Sequence, residues 1–236
     1  MSNSPFPQTG PIHGAIGTDV RVSAFLRSVY GWMFLGLAIT AVTATFVAGS
    51  PALVEALVAN RLLFFGLIAA ELGLVFYISA RVASLAPSTA AALFIVYSAL
   101  NGVTLSLVLL AYTGASVATA FFVSAGMFGA LAAYGTATQR SLAGWGSFLF
   151  MGLVGVVLAS IVGLFWQNDT MNFVISIVGV IVFTGLTAYD AQRLKAMALQ
   201  LPDGQVGSYA VSGALSLYLD FINLFLSLLR LMGNRR

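Results

Sequence analysis

The chain has no cysteine among its 236 residues and a single histidine, His13. Disulfides, thiolate metal sites and thiol catalysis are thereby excluded, and one histidine cannot supply the paired imidazoles of a zinc site. Charge is as scarce: Asp, Glu, Lys and Arg make up 7% of the residues, against roughly 25% in a soluble domain. HExxH, GxSxG, a Gly-rich phosphate loop and GxGD are all missing, so neither metalloprotease, serine hydrolase, nucleotide nor intramembrane-protease chemistry is expected, and no enzyme. No long apolar run opens the chain either. Residues 1–20 hold three prolines and three glycines, so no secretory signal is expected there, and a short polar tail over residues 1–28 is, with His13 as a solvated residue inside it.

What is present is apolar: 60% of the residues are hydrophobic. Stretches of about 20 apolar residues, enough to cross a bilayer, fall at 29–49, 62–80, 90–110, 115–134, 143–166, 171–190 and 209–230. The expectation is an all-α membrane protein with seven transmembrane helices in one domain, residues 29–236. The breaks carry turn chemistry: Gly49, Ser50 and Pro51, then Pro87, then Thr113 with Gly114, then Asn168 with Asp169. The net charge of +3 comes from ten basic residues that are scattered rather than clustered, so the partner is the lipid bilayer and not nucleic acid. Placing Arg21, Arg27, Arg81, Arg140, Arg193 and Lys195 on one side predicts a cytoplasmic N-terminus, leaving Arg61 outside. Arg235 and Arg236 run against this rule if the last segment crosses completely, which its length favours. No internal repeat supports an inverted-repeat transporter. Two runs of small residues, Gly126, Gly129 and Ala133 and then Gly152, Gly155 and Ala159, are expected to pack helices together.

Seven acids occur, Asp19, Glu55, Glu71, Asp169, Asp190, Asp203 and Asp220. Glu71 and Asp220 lie well inside apolar spans. Asp220 belongs to a polar series, Tyr209, Ser212, Ser216, Asp220, Asn223, Ser227 and Arg230, whose steps are all three or four. On a helix that spacing makes one face, and an ionisable group on such a face inside a membrane marks a functional site. Asp190 is interfacial if its helix stops there, and lies more than a turn inside if the helix continues through residues 191–198. In the second case the two aspartates can meet, and two carboxylates in a dry bundle do not both ionise cheaply, so they share a proton. Arg81 is either their counter-charge or a boundary residue that snorkels. Glu71 either lines a cation path or sits protonated as a hydrogen-bond donor between helices. Ser212, Ser216 and Asn223 are the remaining candidate lining residues.

The segments GLTAYDAQRLK (185–195) and GALSLYLDFINLFLSLLRLMGNRR (213–236), and more weakly RVSAFLRSVYGWMFLGLAIT (21–40), resemble signatures of the Bax inhibitor-1 family, also called the transmembrane Bax inhibitor motif family, in its bacterial branch. The resemblance implies a fold whose last helix is central and surrounded by the other six. It implies a pH-sensitive Ca²⁺ leak in the bacterial inner membrane, with Asp190 and Asp220 as the sensor, a second-helix Arg, here Arg81, engaging them, and Ca²⁺ held only weakly and transiently at the pair. No cofactor is implied beyond Ca²⁺ and protons as permeant ions. Two other functions are expected as rivals: an interaction protein that regulates a membrane-bound protease, gripped through the N-terminal tail, and a cation/proton antiporter.

Overall fold

The computed structural model describes residues 12–165, 169–202 and 205–236, with side chains from Val20 on and none at 164 and 165. The first eleven residues of the tail, the side chain of His13, the Trp166 and Asn168 end of the fifth span and Asp203 lie outside the described residues. Eight α-helices follow one another: α1 Ile12–Ala48, α2 Pro51–Ala59, α3 Arg61–Arg81, α4 Pro87–Ala111, α5 Gly114–Ala137, α6 Gly146–Phe165, α7 Asp169–Ala198 and α8 Val206–Met232. A short 3₁₀ turn, Ala143–Trp145, leads into α6. No strand is present among the described residues.

All of these helices except α2 are long and apolar enough to cross a membrane. In hydrocarbon no water satisfies a backbone N–H or C=O, so continuous helices are the form such runs must take. Helix starts follow local chemistry. Pro51 and Pro87 occupy the first turns of α2 and α4, where a missing N–H costs nothing. Asn60 and Thr113 cap α3 and α5, accepting from Leu63 N at 3.0 Å and Ser116 N at 3.3 Å.

The structure differs from the sequence reading at one helix end and in one added element, and it decides between the two readings of a second end. Helix α1 begins at Ile12, so residues 12–28 of the expected tail are helical. Helix α7 continues to Ala198, which carries Asp190 two turns inside. The stretch between the first two spans, read as a break, holds helix α2.

Helix α8 is the axis of the bundle. It packs on α1, α4, α5 and α7, touches α3, and has more buried residues than any other helix. Tyr218 meets Phe94 and Tyr97 edge to face at 5.8 and 5.6 Å, a favoured aromatic arrangement, and Phe221 does the same with Phe121 and Phe128. The periphery is turned inside out relative to a soluble protein. Leu62 is 84% exposed, Phe34 75% and Phe122 73%, as a surface bathed in lipid tails requires.

Two faces close the bundle. On one, Arg21 donates to the Leu201 carbonyl, Lys195 Nζ to Thr136 O at 2.7 Å, and Gln192 Nε2 to Arg140 O at 2.9 Å. On the other, the C-terminal tail is tied to the turn between α4 and α5: Thr113 N donates to Asn234 O and Arg236 N to Ala111 O, both at 3.0 Å. Since Gly207, at the start of α8, abuts Pro87, at the start of α4, the two helices run parallel for their whole length. The last segment therefore crosses completely and leaves Arg235 and Arg236 opposite the face of Arg21, Arg140 and Lys195.

Close helix approach is not made where the small-residue runs suggest. Gly126, Gly129 and Ala133 are exposed, and nothing lies within 4 Å of a Cβ built on either glycine. Gly155 is open as well, whereas a Cβ on Gly152 would meet Val182. The tight crossings are elsewhere: Gly135 lies on the Ala188 backbone, joining α5 to α7, and a Cβ on Gly102 would stand 2.7 Å from Thr40 O, joining α4 to α1.

Candidate functional site

Three sides of α8 are sealed by α1, α4, α5 and α7. The fourth carries the polar series, and its middle residues, Ser212, Ser216, Leu219, Asn223 and Leu226, are only half-buried. A cavity of about 940 Å³ lies along this side, walled by α3, α4, α6, α7 and α8. Helix α6 leans on α7 and α3 on α4, so the two stand apart across the cavity.

Asp190, Asp220 and Glu71 all line it, with Arg193, Asn101, Ser216 and Asn223. Asp190 and Asp220 come from adjacent helices and face the same cavity. Asp220 is 5% exposed, and its Oδ2 is buried with no hydrogen-bond partner. A buried carboxylate oxygen left unsatisfied is costly. Asp190 is half-buried. A smaller cavity of about 180 Å³ continues from it toward the basic face, lined by Tyr209, Ser212 and the end of α3 at Ser79 and Val82. Asp190, Arg193 and Ser216 line both spaces. In the other direction the lining stops at Leu226, beyond which Ser227, Leu228 and Leu229 are buried. The polar series is thus no continuous pore: Ser227 bonds back to Asn223 O at 2.7 Å against Gly179, and Arg230 emerges at the tail face.

Arg81 is not brought to the pair. It ends α3 on the exposed surface, where its carbonyl accepts from Ser84 N and Oγ at 2.9 and 3.0 Å, and it lines neither cavity. The charge that acts on Asp190 is Arg193, nearly one turn further along α7. In the sequence Arg193 reads only as a boundary residue. The signal that could have found it is its step of three from Asp190, which puts both on one helical face.

Glu71 is a hydrogen-bond acceptor bridging α3 to α4. Asn101 Nδ2 donates to Oε2 at 3.3 Å and Thr104 Oγ1 to Oε1 at 3.0 Å. Tyr218 OH donates in turn to Asn101 Oδ1 at 3.1 Å. Asn101, Thr104 and Tyr218 were not singled out in the sequence, although Asn101 and Thr104, three apart in an apolar span, repeat on a small scale the pattern that flags α8. No group of three acidic or histidine side chains able to enclose a metal ion is found among the described residues.

The family model described as inhibitor of apoptosis-promoting Bax1 matches residues 22–236. Among individual proteins, the inner membrane protein YbhL of Escherichia coli is 48% identical over 234 residues, 98% of this chain and 99% of its own. Uncharacterised proteins of Borreliella burgdorferi and Rickettsia prowazekii are 44% identical over 214 residues and 40% over 225, covering 90% and 92% of this chain and 92% of each of theirs. With near end-to-end matches and the seven-span bundle around a central last helix, the chain belongs to the Bax inhibitor-1 family of membrane proteins.

Proposed function

We propose that this protein sits in a bacterial inner membrane and leaks cations, Ca²⁺ among them, under the control of protons held by Asp190 and Asp220. The observation that carries the reading is the single cavity shared by these two carboxylates, with Asp220 Oδ2 buried and unpartnered inside it. While one proton is shared the pair holds together; once it leaves, two negative charges occupy one poorly hydrated space and repel. The absence of a three-acid cluster among the described residues suits passage by a hydrated ion better than storage, because a tight Ca²⁺ site needs about six to eight oxygen ligands. The packed turn beyond Leu226 is the closure such a leak must open. Location draws on the relative named as an inner membrane protein. Orientation draws on charge: the face bearing Arg21, Arg140 and Lys195 is cytoplasmic by the positive-inside rule, and the tail face is then external.

Ca²⁺ flux into proteoliposomes measured across pH tests this. Wild type passes Ca²⁺ in a pH-dependent way, and both Asp220→Asn and Asp190→Asn flatten the dependence. A pH response unchanged in both variants removes the sensor. Pure protein that passes no cation at any pH points instead to a regulator of a membrane protease, and flux that saturates and needs an opposing proton gradient points to an antiporter.

A further inference from the structure

Glu71 stands apart from the aspartate pair, yet both of its oxygens are held, by Asn101 Nδ2 at 3.3 Å and Thr104 Oγ1 at 3.0 Å. The contacts continue inward from Asn101. Its Oδ1 is 3.1 Å from Tyr218 OH, that hydroxyl is 2.6 Å from Thr40 Oγ1, and Thr40 Oγ1 is 2.9 Å from Ser98 O. Four helices, α3, α4, α8 and α1, are joined by one line of polar atoms that starts at the cavity wall and ends in the core, where Thr40 and Tyr218 are buried.

A hydroxyl has one proton to give, so all members of such a line must donate in the same direction. When Glu71 is ionised it only accepts. Asn101 then turns its NH₂ toward Glu71, Tyr218 donates to Asn101 Oδ1 and Thr40 donates to Tyr218, leaving the Ser98 carbonyl to its own helix. When Glu71 carries a proton it becomes a donor, and the order inverts. Its O–H is given to the Asn101 oxygen after the amide turns over, the Asn101 NH₂ is given to Tyr218, Tyr218 donates to Thr40 and Thr40 donates to Ser98 O. The same heavy-atom positions serve both orders, and every hydroxyl on the line has an acceptor in each. Asn101 is half-buried and lines the cavity, which leaves its amide room to turn.

We propose that Glu71 is a proton-binding site separate from Asp190 and Asp220, and that Asn101, Tyr218 and Thr40 form a hydrogen-bond chain whose direction reverses when Glu71 takes up a proton. The consequence is a link between the protonation of the cavity wall and the direction of the hydrogen bonds that join α1 to α4 and α8, independent of whether ions flow. The ionisable groups that share Glu71's surroundings are Tyr97 from α4, Tyr218 and Asp220 from α8, and Asp190, Arg193 and Tyr189 across the cavity on α7. Helices α2 and α6 contribute none to the lining.

Infrared difference spectra of the full chain in lipid nanodiscs, with ring-labelled tyrosine, read both ends of the chain during one pH titration. Glu71→Gln identifies the Glu71 carboxylic acid band, and Tyr218→Phe identifies the Tyr218 C–O band. The expected result is that the Tyr218 band changes over the same pH interval in which the Glu71 acid band appears. In Glu71→Gln the Tyr218 band stops responding, while in Asp220→Asn it responds still. Thr40→Val removes the group to which Tyr218 donates once Glu71 is protonated, so its low-pH band departs from the wild-type position although Glu71 still titrates. The proposal is overturned if no Glu71 acid band appears at any pH the folded protein tolerates, if the Tyr218 band is silent while Glu71 titrates, if Tyr218 responds undiminished in Glu71→Gln, or if its low-pH band in Thr40→Val is that of wild type.

Discussion

Arg193 and Arg81 differ by their place in the bundle and not by their chemistry. Both are arginines at the basic ends of spans, but only Arg193 lines the space that holds Asp190. A positive charge beside an acid pair makes proton loss easier, and its removal undoes that help. In the flux assay Arg193→Gln therefore moves the pH midpoint upward, by about half a unit given that Arg193 is exposed and partly screened, whereas Arg81→Gln leaves the midpoint where it was. Equal effects from the two variants would return the counter-charge role to Arg81. Asp220 was legible in the sequence because polar residues at steps of three and four stand out against Leu and Phe. Its unpartnered Oδ2 was not, since the lack of a partner depends on every helix around it.

At the level of the helices, the contrast between glycines separates sequence pattern from packing. Gly135 lies on the Ala188 backbone at the crossing of α5 and α7, while Gly126, one face away on the same helix, meets nothing. Backbone does not yield as a flexible side chain does, so Gly135→Val is expected to destabilise the bundle by about 1–3 kcal/mol. Gly126→Val faces lipid and should stay within about 0.5 kcal/mol. Reversible unfolding of both variants in mixed micelles checks the pair; a Gly126→Val loss as large as that of Gly135→Val would mean that the exposed face is buried against something in the membrane. The small-residue runs misled because spacing reports which residues share a face and carries no record of which neighbour that face meets. The continuation of α7 past Asp190 is the opposite case: residues 191–198 are good helix formers, and the choice between the two readings needed only the observation that nothing stops them.

For the molecule as a whole, the C-terminal clasp decides the topology. Residues 233–236 hold the α4–α5 turn by backbone hydrogen bonds, and Arg235 sits over the Tyr112 ring at 6.0 Å from its centre. An arginine keeps its proton at any physiological pH, so the clasp stays charged. Because the chain lacks cysteine, single-cysteine labelling in intact cells is unambiguous. Cysteine placed at 236 should react with a membrane-impermeant maleimide, and cysteine at Ser141 should not. Labelling at Ser141 with protection at 236 would invert the orientation proposed from the basic face.

Periodicity and composition alone determined that seven helices cross a membrane, that the last carries a polar face, and that Glu71 and Asp220 lie within spans. Those are local properties: lipid removes every alternative to the helix for a long apolar run, and a step of three or four places residues on one face whatever surrounds them. Tertiary structure decided the rest. It put Arg193, and not Arg81, in the lining shared with Asp190, set Glu71 into a chain reaching Tyr218 and Thr40, left the cavity open between α3 and α6, and fixed the tail against α4 and α5. Each of these depends on how helices far apart in sequence rotate and approach one another, and in a bundle whose outer and inner residues are alike apolar, hydrophobicity does not reveal which side faces in.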